Sequence, residues 1–263
     1  MEALPLVADV QLFGLIFARM TALFILFPIF GQSNVPVHYR VGLSFFFSLL
    51  LFPMLKPNFV DPQIENIFGL LFLMFKEAGI GAVIGFLTRF IFTAVGVAGE
   101  LIDMQMGFAM VQMPDPMNEG EMTSATGYFY VVIFAIAFLM LNGHYFLLLA
   151  VNKCFATMPP GGVILETTLI VPMVLYFVRS TMEVALALSA PIMIVMIVTT
   201  FALGIIAKTM PQMNVFIVGM PLKIGIGLFL MMVSLPAMLN FFGGVVRRMY
   251  QDIWTLLLRM AGS

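Results

Sequence analysis

Six stretches of this chain are long and apolar enough, or nearly so, to cross a bilayer, and most of them carry charges inside. They cover residues 10–31, 41–55, 67–98, 127–152, 168–206 and 215–246. One crossing takes roughly 20 mostly apolar residues over about 30 Å of hydrocarbon. The runs are continuous rather than alternating with period two. A backbone in lipid must satisfy its own hydrogen bonds, so helices are expected and barrel strands are not. The expected fold class is an all-α membrane protein. Composition points the same way: 62% of residues are hydrophobic and 10% charged, against about 45–50% and 25% in soluble domains.

The second stretch is short, and the third, fifth and sixth exceed one crossing. Residues 168–206 contain Pro172 and Pro191, which fits a bent hairpin as well as a single span. Loops are expected at 31–38, 56–66, 158–162 and 209–214, where Pro or Gly meets polar neighbours. The N-terminus reaches Asp9 without a Lys or Arg, so it lacks the positive region of a cleavable signal and is read as the first helix. Arg247, Arg248 and Arg259 place the C-terminal tail in the cytoplasm, and the 99–126 segment, free of Lys and Arg, on the opposite side. A net charge of −1 without a basic stretch excludes a nucleic-acid footprint. The single cysteine, Cys154, rules out an intramolecular disulfide and is read as a packing residue.

The charges within the apolar segments are the informative part. Arg19 lies in the first, Lys76, Glu77 and Arg89 in the third, Arg179 and Glu183 in the fifth, and Lys223 in the sixth. One such group at a helix centre costs about 2.5–3.5 kcal/mol on insertion scales. These groups must pair, snorkel to an interface or lie away from lipid. Arg179 and Glu183, four apart, share a helix face and can pair. Lys76 and Glu77 point about 100° apart on a helix and need partners on other helices or other chains.

Residues 96–127 combine three features. Gly96 and Gly99 make a small contact face, and Glu100 and Asp103 are three apart. Met104, Met106, Met110, Met113, Met117 and Met122 then crowd a stretch that Pro114 and Pro116 keep from being one regular helix. Methionine is flexible and fills irregular gaps, so this stretch is either a deformable seal or ordinary core filling. Catalysis has little support. His38 and His144 lack a second metal ligand nearby, no serine-nucleophile elbow is present, and no Gly-rich phosphate loop occurs. No metal and no cofactor are expected.

Taken in order, several motifs resemble the FliR family (SctT in injectisomes), the export-gate subunit of the flagellar type III secretion apparatus. They are Arg19, Phe30-Gly31-Gln32-Ser33-Asn34-Val35-Pro36, Lys76-Glu77 with Gly81 and Gly85, and Gly99-Glu100-Leu101-Ile102-Asp103-Met104-Gln105-Met106-Gly107-Phe108 leading to Asp115-Pro116. Pro211-Gln212-Met213-Asn214-Val215-Phe216 follows, with Gly219, Pro221 and Lys223. The resemblance implies long kinked helical hairpins in two parts: a FliP-like part over 1–165 and a FliQ-like part over 166–263. It implies a structural, non-enzymatic pore subunit that completes a helical ring of FliP and FliQ, with FlhB on its cytoplasmic side and unfolded flagellar proteins as cargo. The assembly would sit in the inner membrane within the basal body, largely raised toward the periplasm.

Carried onto this chain, the family's pore plug falls at Met106, Gly107, Phe108, Ala109, Met110, Val111, Gln112, Met113, Pro114, Asp115 and Pro116. Arg19, Lys76, Glu77, Glu100, Asp103, Gln105, Arg179, Glu183, Pro211, Gln212, Asn214 and Lys223 become buried polar or assembly positions. The competing expectation is a proton- or ion-coupled secondary transporter using Glu100, Asp103 and the Lys76 and Glu77 pair. An intramembrane enzyme lacks a nucleophile and base set.

Overall fold

The computed structural model describes residues 3–31, 35–58, 66–108, 124–161, 170–210, 212 and 214–260. Seven α-helices occur among them: α1 Ala3–Leu26, α2 Val37–Leu55, α3 Ile67–Met106, α4 Ala125–Met140, α5 Gly143–Thr157, α6 Ile170–Thr209 and α7 Val215–Met260, with a short 3₁₀ turn at Lys56–Asn58. The chain is an all-helical membrane protein. Five helices (α1, α2, α3, α6 and α7) are each long and apolar enough to cross a bilayer, and α4 with α5 qualifies as a broken pair.

The six apolar stretches thus correspond to helices, with two refinements. Of the 168–206 stretch, equally readable as a bent hairpin, the described residues 170–206 fall in one helix of 40 residues, Ile170–Thr209, with Pro191 inside it. The 127–152 stretch is two helices. Asn142 takes a left-handed conformation with φ 56°, which stops α4 and lets α5 begin at Gly143. Asparagine is the non-glycine residue that tolerates this region best.

α3 and α6, at 40 residues each, are about 60 Å long at 1.5 Å per residue, twice the hydrocarbon thickness. Hydroxyls along the apolar helices bond within their own helix: Ser44 donates to the Arg40 carbonyl, Ser48 to Ser44, Thr88 to Ile84, Ser189 to Ala185 and Thr200 to Met196. An hydroxyl in apolar surroundings is satisfied this way without a partner helix.

The chain folds into two compact units, both built from discontinuous pieces. One comprises Met1–Phe90, Asn142–Phe177 and Arg247–Ser263, the other Ile91–Leu141 and Val178–Val246. In the first, α2 packs on α1 through phenyl rings: Phe13 meets Phe45 at 5.4 Å and Phe24 meets Phe47 at 5.3 Å. Lys56 pairs with Asp9 at 2.6 Å. The last turns of α7 rest on α5, with the Lys153 ammonium 4.2 Å from the Trp254 ring centroid, a cation–π contact. In the second unit the core is aromatic, with Phe134 4.7 Å from both Phe92 and Phe242.

Candidate functional site

Buried charge marks two junctions, one in each unit. In the first unit Arg19 of α1 and Glu77 of α3 are each 1% exposed. Both Nε and Nη2 of Arg19 donate to Glu77 Oε2 at 2.6 Å. Its Nη1 and Nη2 each reach the Met158 carbonyl at 3.1 Å, and Nη1 also meets Cys154 Sγ at 3.4 Å. The guanidinium lies 4.2 Å from the Phe155 ring centroid. The other carboxylate oxygen, Oε1, accepts from the Gly161 amide at 2.9 Å.

A charge this deep is tolerable only when its hydrogen-bonding capacity is met, and here one ion pair ties α1, α3 and the turn after α5 together. The backbones come close enough because α3 carries Gly81 and Gly85. A Cβ on Gly81 would fall on the Arg19 carbonyl, and one on Gly85 would lie 2.8 Å from the Leu23 carbonyl. A four-residue glycine spacing puts both on the face that α1 covers.

In the second unit Asp103, near the end of α3, is 2% exposed. Its Oδ2 accepts from the Ser124 hydroxyl at 2.6 Å and from the Thr126 amide at 3.2 Å. Ser124 is the N-cap of α4 and accepts from the Gly127 amide at 2.8 Å. The carboxylate thus sits at a helix N-terminus, where unpaired amides and the helix dipole favour negative charge. Glycine again permits the approach: a Cβ on Gly99 would meet the backbone of Gly127. Gly107, with φ 87°, ends α3 by returning its amide to the Asp103 carbonyl at 3.0 Å, a glycine cap. Met106 is fully buried against α7 where Gly227 has no side chain.

The remaining expected positions distribute as follows. Glu100 is exposed while Asp103, on the next turn, is buried, so the two carboxylates do not share one environment. Lys76 is half-buried, its ammonium 4.8 Å from the Phe72 ring centroid. Arg179 and Glu183 pair at 2.7 Å, but on an exposed face of α6, 80% and 53% exposed, and not as buried groups. Gln105 and Lys223 are half-buried; Gln212 and Asn214 are exposed. Of the expected plug, Met106, Gly107 and Phe108 are described; Ala109, Met110, Val111, Gln112, Met113, Pro114, Asp115 and Pro116 lie outside the described residues, as does Pro211.

Sequence reasoning missed the partners. Ser124 lies three residues before the fourth apolar run and is an ordinary N-cap signal; it could have been found. Nothing local marks Met158, Cys154 or Gly161 as partners of an arginine in α1.

Residues 10–249 match the family profile described as "Bacterial export proteins, family 1". The "Flagellar biosynthetic protein FliR" of Bacillus subtilis (strain 168) is 32% identical over 237 residues, covering 85% of each chain. The chain belongs to the FliR family of bacterial export proteins. The Escherichia coli (strain K12) FliR is 28% identical over 243 residues, covering 91% of this chain and 88% of that one. The Aquifex aeolicus (strain VF5) FliR is 29% identical over 223 residues and covers 83% of both. Both buried junctions lie inside the region that defines the family, so a FliR-family protein of flagellar export here carries two satisfied polar clusters on helix α3.

Proposed function

We propose that this chain is a structural pore subunit of the flagellar protein export gate. It completes a ring of FliP and FliQ, meets FlhB on the cytoplasmic side, and supplies residues 106–116 as a plug that yields to unfolded export substrates. The observation that carries this reading is the Asp103 junction. It binds the end of α3 to the start of α4 through Ser124 and Thr126, so the segment leaving at Phe108 and returning at Ser124 has a fixed base. A seal needs such a base: the loop can deform and return while its ends stay registered. The side chains at that base fit the role, because Met106 is anchored in the notch at Gly227 and methionine re-packs readily.

The two-part origin, FliP-like over 1–165 and FliQ-like over 166–263, belongs to the same proposal. The compact units cut across that boundary, each taking residues from both parts, which suits a chain whose two parts pack against each other within each unit. The C-terminal tail is cytoplasmic in this reading, and the gate is raised toward the periplasm.

The test is a deletion of residues 109–116 in the assembled gate. Ion conductance across the inner membrane should rise while assembly with FliP and FliQ persists. Unchanged conductance in an assembled gate overturns the plug; solute flux by this chain alone in proteoliposomes would instead favour a secondary transporter.

A further inference from the structure

Within the second unit, the last turn of α3 touches α7 on both sides of a proline. Met106 is fully buried, and a Cβ on Gly227 would fall 2.6 Å from its Sδ, 2.7 Å from its Cγ and 2.8 Å from its Cε. The next residue, Gly107, faces the other arm of α7: a Cβ there would lie 3.9 Å from Met220 Cγ. Pro221 stands between Met220 and Gly227, inside α7. It has no amide hydrogen, so the Ile217 carbonyl goes without its bond from four residues on, and the helix bends most easily at such a position. Gly219, Lys223 and Gly227 are spaced by four, so one face of α7 runs along the end of α3 across this proline.

Neighbouring residues held by the two arms of a bendable helix form a lever. When the arms change angle, Met106 and Gly107 cannot both keep their contacts. Met106 is held by shape alone, since the notch exists only because residue 227 has no side chain. It also has somewhere to go. With Gly107, Met220 and Lys223 it lines a groove of about 340 Å³, and its unbranched side chain turns about three bonds. Gly107 depends on one conformation, φ 87°, which returns its amide to the Asp103 carbonyl at 3.0 Å. Once Met106 leaves the notch, that closing turn has lost the anchor beside it.

We infer that Met106 is a mechanical link through which bending of α7 at Pro221 loosens the end of α3. The link governs only the last turn. The Asp103 carboxylate keeps its hold on Ser124 and Thr126, so the start of α4 stays capped while the turn at Gly107 opens. The inference does not rest on the pore reading, because it concerns two helices of one unit and is read at their contact.

The experiment is hydrogen exchange, measured by mass spectrometry on the full chain held singly in lipid nanodiscs. Gly227→Ala should accelerate exchange at Gly107 about tenfold, and Met106→Ala, which introduces no clash, should do the same. The double variant should exchange no faster than Met106→Ala alone, since the seat is already empty. Gly225→Ala, where a Cβ meets nothing within 4 Å, should change nothing. Pro221→Ala restores the amide to the Ile217 carbonyl and stiffens α7, so exchange at Gly107 should slow about threefold. In every variant, exchange at Thr126 and Gly127 should stay as it is. Unchanged exchange at Gly107 in Pro221→Ala overturns the link, because a contact that is only structural would not feel the stiffness of α7. Additive effects of Met106→Ala and Gly227→Ala also overturn it, as does loss of protection at Thr126 and Gly127 together with Gly107.

Discussion

Arg19 shows how a single residue can fix the meeting of three elements. Its guanidinium joins Glu77 and the Met158 carbonyl, and breaking either side leaves a charge with no water to take it. Arg19→Met and Glu77→Leu should each destabilise the folded chain by roughly 3–5 kcal/mol, and the double variant should cost less than the two together. Thermal unfolding in detergent, run as a double-mutant cycle, measures this; additive losses would count against a coupled pair. The glycines make a second residue-scale test. Gly99→Ala forces a Cβ into the Gly127 backbone and should cost at least ~1–3 kcal/mol. Gly225→Ala meets nothing within 4 Å and should be neutral, or gain about 0.5–1 kcal/mol from helix propensity. The two melting temperatures, compared side by side, separate close approach from mere glycine content.

At the scale of elements, the α3 to α4 junction and the α4 to α5 break each rest on one side chain. Asp103→Ala removes the acceptor from the Ser124 hydroxyl and the Thr126 amide, so α4 should fray at its start with a loss of about 0.5–2 kcal/mol. Hydrogen exchange at Thr126 and Gly127 should accelerate, while amides in the middle of α4 hold. Asn142, at φ 56°, should accept Gly readily. A β-branched Asn142→Ile should cost about 1–2 kcal/mol for the left-handed conformation. Thermal melts of the two variants check this; equal stability would show that the break tolerates any residue. The helix α2 makes a contrasting point. Of its residues only Ser44 and Ser48 are buried, while Phe45, Phe46, Leu49 and Leu50 are each more than half exposed. Much of its apolar surface is left uncovered within the chain, even though Phe45 also meets Phe13 of α1.

For the whole molecule, exposure decides behaviour. The most apolar windows of α6 and α7 are each only 17% buried within the chain, far from the closed surface of a soluble monomer. Extracted by itself, the chain should self-associate. Co-expressed with FliP and FliQ, it should elute as one discrete complex, read by size-exclusion chromatography with light scattering. A stable monodisperse monomer would contradict a subunit role.

Much of this was legible in the residues. The length and continuity of the apolar runs set an all-helical membrane fold, because lipid permits little else. The Gly99 to Phe108 motif carried the family, and the spacing of Arg179 and Glu183 announced their pairing, since four residues on a helix is a local relation. Burial was not legible. Glu100 and Asp103 look alike in sequence, yet one is exposed and the other caps α4. Lys76 and Glu77 stand side by side, and only Glu77 meets Arg19. The partner of a buried charge is chosen by which helix faces meet, and those faces are set by contacts 58 or 139 residues apart. Helical periodicity defines the faces of each helix alone. Which faces close on each other is decided by packing across the chain, and here glycines at Gly81, Gly85 and Gly99 decide how near the backbones come.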